Sequence, residues 1–172
     1  MTYVTNLAEG PTELDRVWRL RPKYYELFMA DYHRSIERLD PGLIEVCRLW
    51  MATLLGSKLD LSLRYKPALA AGLTEAKVKE LANYARSPLF TQQEKVCLDF
   101  AEQFAIQSSS ITDDDVKRLS GVLSWEDVIY FIKALNAVEQ LSRSSTVFDI
   151  QPSTIVPSTM TDHFQVAPPS AS

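Results

Sequence analysis

The stretch Asp40-Pro41-Gly-Leu-Ile-Glu45-Val-Cys-Arg-Leu-Trp-Met-Ala-Thr-Leu-Leu55-Gly56-Ser57-Lys-Leu-Asp60-Leu-Ser-Leu-Arg64 decides the fold. It opens on a helix start, because Asp40 can accept from free N–H groups and Pro41, at the first helical position, has no N–H to lose. Leu43, Val46, Cys47, Leu49, Trp50, Met51, Leu54 and Leu55 then leave only Glu45, Arg48 and Thr53 as polar exceptions. A helix apolar nearly all round is central in its domain or lies at a subunit interface. Gly56 separates it from a second helical pattern, which predicts an antiparallel helix pair joined by a short turn. Residues equally far from such a turn become neighbours, so Glu45 is predicted to meet Arg64 across the pair. On the second helix Asp60 and Arg64 share a face, with Ser57 three residues before Asp60.

Outward from this stretch, helix starts recur as a hydroxyl residue followed three positions later by an acid: Thr12 with Asp15, Thr91 with Glu94, Thr112 with Asp115, and Ser124 with Asp127. Apolar rows at helical spacing follow them, such as Val96, Phe100 and Phe104, and later Val128, Ile132 and Leu135. No useful stretch alternates with the two-residue period of a half-buried strand. The expectation is an all-α helical bundle of about six to eight helices around the central pair, with no sheet. Residues 13–150 read as one domain, preceded by an arm over 1–12. The segment 151–172 is rich in Pro, Ser and Thr and reads as a flexible tail outside the core.

The chain has 18 Lys plus Arg against 22 Asp plus Glu, a net charge of −4, and no basic run that could track a phosphate backbone. Nucleic acid is therefore not an expected partner. The first ten residues lack the basic start and apolar stretch of a signal peptide, and no segment approaches the ~18 apolar residues that span a membrane. No membrane association and a cytoplasmic home are the resulting expectations. Cys47 and Cys97 fall inside apolar helical patterns, where an unpaired Cys behaves as a small buried hydrophobe with a raised pKa. His33 sits in the pattern Tyr24, Tyr25, Phe28, Tyr32, Ile36, facing a subunit interface or the pocket, and His163 lies in the tail. No pairing of His, Cys and acid residues has a ligand spacing that would make a metal site, so no metal and no cofactor are expected.

Several stretches together resemble the carboxymuconolactone decarboxylase and AhpD-like alkylhydroperoxidase family. Its core pattern is a Glu, eleven residues, then CxxCxxxH, and the run from Glu45 to Arg64 matches that spacing without a gap. Ala71-Gly72-Leu73-Thr74, Ser87-Pro88-Leu89-Phe90 with Glu94, Asp99-Phe100-Ala101-Glu102 and Ala134-Leu135-Asn136 are similar in order downstream, so the resemblance covers roughly residues 14–150. It implies an AhpD-like helical bundle assembled as a trimer or hexamer. Position by position, the family Glu is Glu45, its two cysteines are Ser57 and Asp60, and its His is Arg64. This is a degenerate CxxC motif. A hydroxyl and a carboxylate cannot form a disulfide, and Arg stays protonated, so the dithiol relay the resemblance would imply is not open to these residues. Pro67 is a second departure and predicts a kink or restart near Tyr65.

Two arrangements of Glu45, Ser57, Asp60 and Arg64 are open at this level. In one, Arg64 grips a small-molecule carboxylate substrate while Glu45 or Asp60, with Ser57, performs acid–base chemistry of a lyase, decarboxylase or isomerase kind. In the other, the charged groups form an ion-pair network closing the helix pair, and Ser57 is a helix cap. The function classes that follow are a thiol-independent enzyme or binder acting on a small organic acid, a redox-inactive binding or scaffold protein, and a thiol peroxidase using Cys47 or Cys97.

Overall fold

The computed structural model describes residues 6–169. The start of the 1–12 arm and the last three residues of the tail lie outside the described residues. The helices are α1 (Glu13–Trp18), α2 (Pro22–Glu37), α3 (Pro41–Leu55), α4 (Lys58–Leu61), α5 (Lys66–Ala70), α6 (Glu75–Lys79), α7 (Gln92–Gln107), α8 (Asp113–Ser120) and α9 (Trp125–Val147). Two three-residue strands, β1 (Leu63–Tyr65) and β2 (Phe164–Val166), pair antiparallel with Arg64 opposite Gln165.

The helix starts fall where the hydroxyl–acid spacing puts them. Thr12, Thr91, Thr112 and Ser124 each accept a hydrogen bond from the backbone N–H three residues on, and Thr91 with Glu94 and Thr112 with Asp115 close reciprocal capping boxes. The Asp40 carboxylate accepts from Leu43 N at 2.8 Å, and Pro41 occupies the first turn of α3. Gly56 ends α3 at φ 69°, a left-handed conformation that a side chain would oppose.

α3 packs against both α7 and α9, and α2 packs against α9, so α3 is internal. Its Leu43, Ile44, Val46, Cys47, Leu49 and Met51 are all buried within one chain, whereas Trp50, Leu54 and Leu55 are only partly buried. Intrachain packing thus covers most, but not all, of the residues whose apolar character suggested an interface.

The second helix of the expected pair does not form as one rod. α4 is a single turn, the chain extends through β1, and α5 begins again at Lys66. Pro67 explains the restart: a continuous helix would push its ring into the carbonyl of residue 63, whereas within the first turn of α5 its missing N–H costs nothing.

The expectation of a sheet-free fold with a free tail is corrected in the same place. β2 supplies the second edge for β1, Lys66 N donates to His163 O at 2.8 Å, and Ala167 N donates to Ser62 O at 2.7 Å. Met160 and Phe164 are buried in the core. The composition of 151–172 is poor in apolar residues, but these two anchors and the exposed edge of β1 suffice to seat the segment as a strap across α2 and β1.

Candidate functional site

Glu45 and Arg48 are three apart on α3 and so share one face. Arg48 Nε donates to Glu45 Oε2 at 2.6 Å and Nη2 to Glu45 Oε1 at 2.8 Å, a bidentate pair. The remaining guanidinium hydrogens reach Leu63 O at 2.9 Å, Asp60 O at 2.9 Å and Asp60 Oδ1 at 3.5 Å. All five donors of the fork are thereby matched. Burial works against the Arg48 charge, but the adjacent Glu45 carboxylate, with Tyr32 and Asp60, more than offsets it and holds the guanidinium pKa above its ordinary value.

Asp60 is held from its other side. Ser57 caps α4, accepting from Asp60 N at 3.3 Å while its own hydroxyl donates to Asp60 Oδ2 at 2.6 Å. Ser142 Oγ, from α9, donates to the same oxygen at 2.9 Å. Glu45 Oε1 also accepts from the backbone N–H of Tyr65 at 3.0 Å, which ties β1 to α3. Glu45, Arg48, Ser57 and Asp60 are 0–1% exposed. The Phe164 ring of the strap lies over the Arg48 guanidinium at 5.2 Å from the ring centroid, so the strap roofs this ionic lattice.

The structure brings Glu45, Ser57 and Asp60 together and places Arg64 elsewhere. Alternation along β1 sends Arg64 to the face opposite Leu63 and Tyr65. It meets Glu75 of α6, with Nε to Oε1 at 2.8 Å and Nη2 to Oε2 at 3.0 Å, and its Nη1 donates to the carbonyls of Leu61 and Leu63. The predicted Glu45–Arg64 contact is therefore replaced by Glu45–Arg48. Equal counting from the turn required two continuous helices, and Pro67 removes the second.

Sequence reasoning passed over Arg48, Ser142, Glu75 and Lys79. For Arg48 a signal was present: a Glu and an Arg three apart in an otherwise apolar helix must be buried together, and a buried acid and base at that spacing pair with each other. Ser142, Glu75 and Lys79 are brought in by tertiary contacts that no local spacing announces.

Arg64 and Glu75 wall a cleft of about 530 Å³. Its apolar surface comes from Leu61, Val78 and Val166, and the strap contributes Pro152, Ser153 and residues 166–169. The Arg64 side chain is 7% exposed and that of Glu75 is 36% exposed. Lys79 lines the same cleft and makes no ion pair within the described residues.

The thiols lie apart from both places. Cys47 and Cys97 are free and buried. Burial raises the Cys47 thiol well above its ordinary value and pushes Cys97 up to about 12, so neither is a thiolate near neutrality. Among the described residues no group of three or more His, Cys, Asp or Glu could hold a metal ion. No helix among them is long and apolar enough to cross a membrane.

No protein-family profile matches the chain, and no curated protein is significantly similar to it. Solved structures are similar in architecture. A protein of unknown function from Agrobacterium tumefaciens, associated by its description with the antioxidant defence protein AhpD, superimposes with a TM-score of 0.72 at 19% identity, over 83% of this chain and 99% of that one. A peroxidase-related protein with an alkylhydroperoxidase AhpD core, from Ralstonia eutropha JMP134, does so with a TM-score of 0.68 at 15% identity, over 80% and 75% of the two chains. A Cys-to-Ala variant of the debrominase Bmp8, bound to 2,3,4-tribromopyrrole, gives 0.69 at 16% identity over 85% and 79%. At such identities the likeness is one of architecture, and on it the chain has the all-helical AhpD-like fold.

Proposed function

We propose that this chain is a thiol-independent protein that binds a small organic acid in the cleft walled by Arg64 and Lys79. The observation that carries the reading is a nearly buried guanidinium on the wall of a cleft of about 530 Å³, within the size range of small-molecule sites. Arg64 and Lys79 against Glu75 leave that wall with one excess positive charge, which favours an anion. Glu75 takes Nε and one hydrogen of Nη2, leaving an outward N–H of Arg64 and the Lys79 ammonium for a ligand carboxylate. Bmp8, with its tribromopyrrole, supports the size class of ligand that this architecture accommodates.

In this reading Glu45, Asp60 and Ser57 do not touch substrate. Every donor of Arg48 is spent inside the lattice, and a catalytic carboxylate there would need a route to solvent that residues 0–1% exposed do not have. The lattice instead fixes α3, α4 and β1, and β1 in turn presents Arg64 to the cleft. Assembly as a homo-oligomer belongs to the proposal, with a monomer by light scattering at micromolar concentration as the contradicting result.

The test is calorimetric titration with benzoate and other small carboxylates near neutral pH. Binding that weakens about tenfold or more in Lys79→Glu, a loss of about 1.4 kcal/mol, is the expected result. Binding that is absent, or indifferent to that charge reversal, would overturn the assignment of the cleft.

A further inference from the structure

We infer that His33, stacked on His163, is an acid-sensitive latch for the strap, so that protonation of His33 releases residues 151–169 and dismantles the Arg64 cleft. The inference rests on the cleft reading only for its last step, because the latch itself is defined by contacts of the strap.

The strap is held at a few polar points. Ser158 N donates to both carboxylate oxygens of Asp15 at 3.1 Å, Thr159 Oγ1 donates to Tyr25 Oη at 2.8 Å, and Lys66 Nζ donates to Thr161 O. Between them, His33 of α2 lies with Nε2 2.7 Å from Thr159 O, so in the docked state Nε2 carries the hydrogen and donates it. His33 Nδ1 is buried and has no hydrogen-bond partner among the described residues. The His163 ring of the strap stacks on the His33 ring at a centroid distance of 4.0 Å and an interplanar angle of 19°.

His163 Nδ1 lies 3.4 Å from Glu37 Oε1. A proton on His33 must go to the buried Nδ1, where no acceptor waits among the described residues, and it sets a charged ring against the His163 ring at 4.0 Å. The charged groups around the pair are Glu37 on α2 and Asp162 on the strap, and the Lys66 ammonium is engaged at Thr161 O. Glu37 faces His163. Burial, ahead of all these, keeps the His33 pKa below its ordinary value.

The direction with pH follows. Undocked, His33 titrates near ~6.5, and docked it titrates lower. Docking is therefore unaffected above about pH 6.5 and weakens as pH falls below it, with the opening equilibrium rising about tenfold per pH unit until the docked ring itself titrates. Opening removes Phe164 from above Arg48 and takes away the strap wall of the cleft formed by Pro152, Ser153 and residues 166–169.

Hydrogen–deuterium exchange of the full chain at pH ~7.5 and pH ~5, normalised for intrinsic exchange, reads the latch without any ligand. The expected result is that amides of residues 158–167 lose protection at the lower pH, while α7 amides do not. His33→Gln keeps a side-chain donor for Thr159 O but cannot be protonated, and His33→Phe keeps the stack; whichever of these folds should hold the strap equally at both pH values. Strap protection unchanged at pH ~5 in the parent chain, or acid opening retained in these variants, would overturn the latch. Benzoate binding measured on the same samples should fall with strap protection. Absence of binding at pH ~7.5 counts against the cleft alone, since the exchange data still decide the latch, whereas binding that persists with the strap released overturns the link between them.

Discussion

Two guanidinium–carboxylate pairs lie on either side of the strand Leu63–Tyr65, and they differ in almost everything but their chemistry. Arg48 and Glu45 are sealed, with every donor of the fork matched, and are roofed by Phe164. Arg64 and Glu75 make the same bidentate contact at a cleft, with Glu75 more than a third exposed and Lys79, which has no ion pair among the described residues, on the same wall. Burial decides what such a pair can do. In the sealed site the ions have exchanged hydration for each other, every Arg48 donor is taken, and burial leaves a ligand no access. At the cleft, water already solvates part of the pair, so a ligand carboxylate can replace that water at little cost.

The comparison is broken most forcefully by removing one partner of the sealed pair. Arg48→Met keeps the length of the side chain but leaves Glu45 and Asp60 as uncompensated buried carboxylates, and loss of one partner from such a site costs roughly 3–5 kcal/mol. For a chain of this size that lowers the melting temperature by roughly 10 °C or more, measurable by calorimetry or denaturant titration. A melting temperature within about 2 °C of the parent would mean that the lattice is not the structural element described here. At the cleft, Arg64→Ala takes a donor from the Leu61 carbonyl and from a partly solvated Glu75, while Leu63 O keeps Arg48 Nη2, an intermediate loss of about 1–3 kcal/mol, together with loss of acid binding.

What the sequence made legible follows the range of the forces involved. Helix starts depend on side chains reaching backbone three residues away, and Thr91 with Glu94 or Asp40 with Leu43 could be named from spacing alone. The apolar circumference of α3 left it central or at a subunit interface, and its packing against α7 and α9 makes it central. The partner of Arg64 did not, because it required knowing whether the chain after Gly56 stays helical, and Pro67 makes it extend instead. The strap was illegible for a different reason. Its composition is that of a loop, and its order comes from isolated anchors, Met160, Phe164 and the Asp15 carboxylate, each matched to a partner distant in sequence. Within the candidate site, the grouping of Ser57, Asp60 and Glu45 was readable from the family-like spacing, whereas the cation joining them, Arg48, was visible only as a polar exception in an apolar helix.

The most direct test of the central claim uses Ser57, which stands where the resembling family carries its first cysteine. Ser57→Ala removes the cap of α4 and one of two hydroxyl donors to Asp60, leaving Ser142 in place. Benzoate titration of this variant, with its melting temperature recorded alongside, separates scaffold from chemistry. The account predicts a stability loss of about 1–2 kcal/mol with benzoate affinity within about twofold of the parent. An affinity reduced about tenfold or more in a protein whose melting temperature is unchanged would contradict it, and would return the ligand to the positions of the missing dithiol.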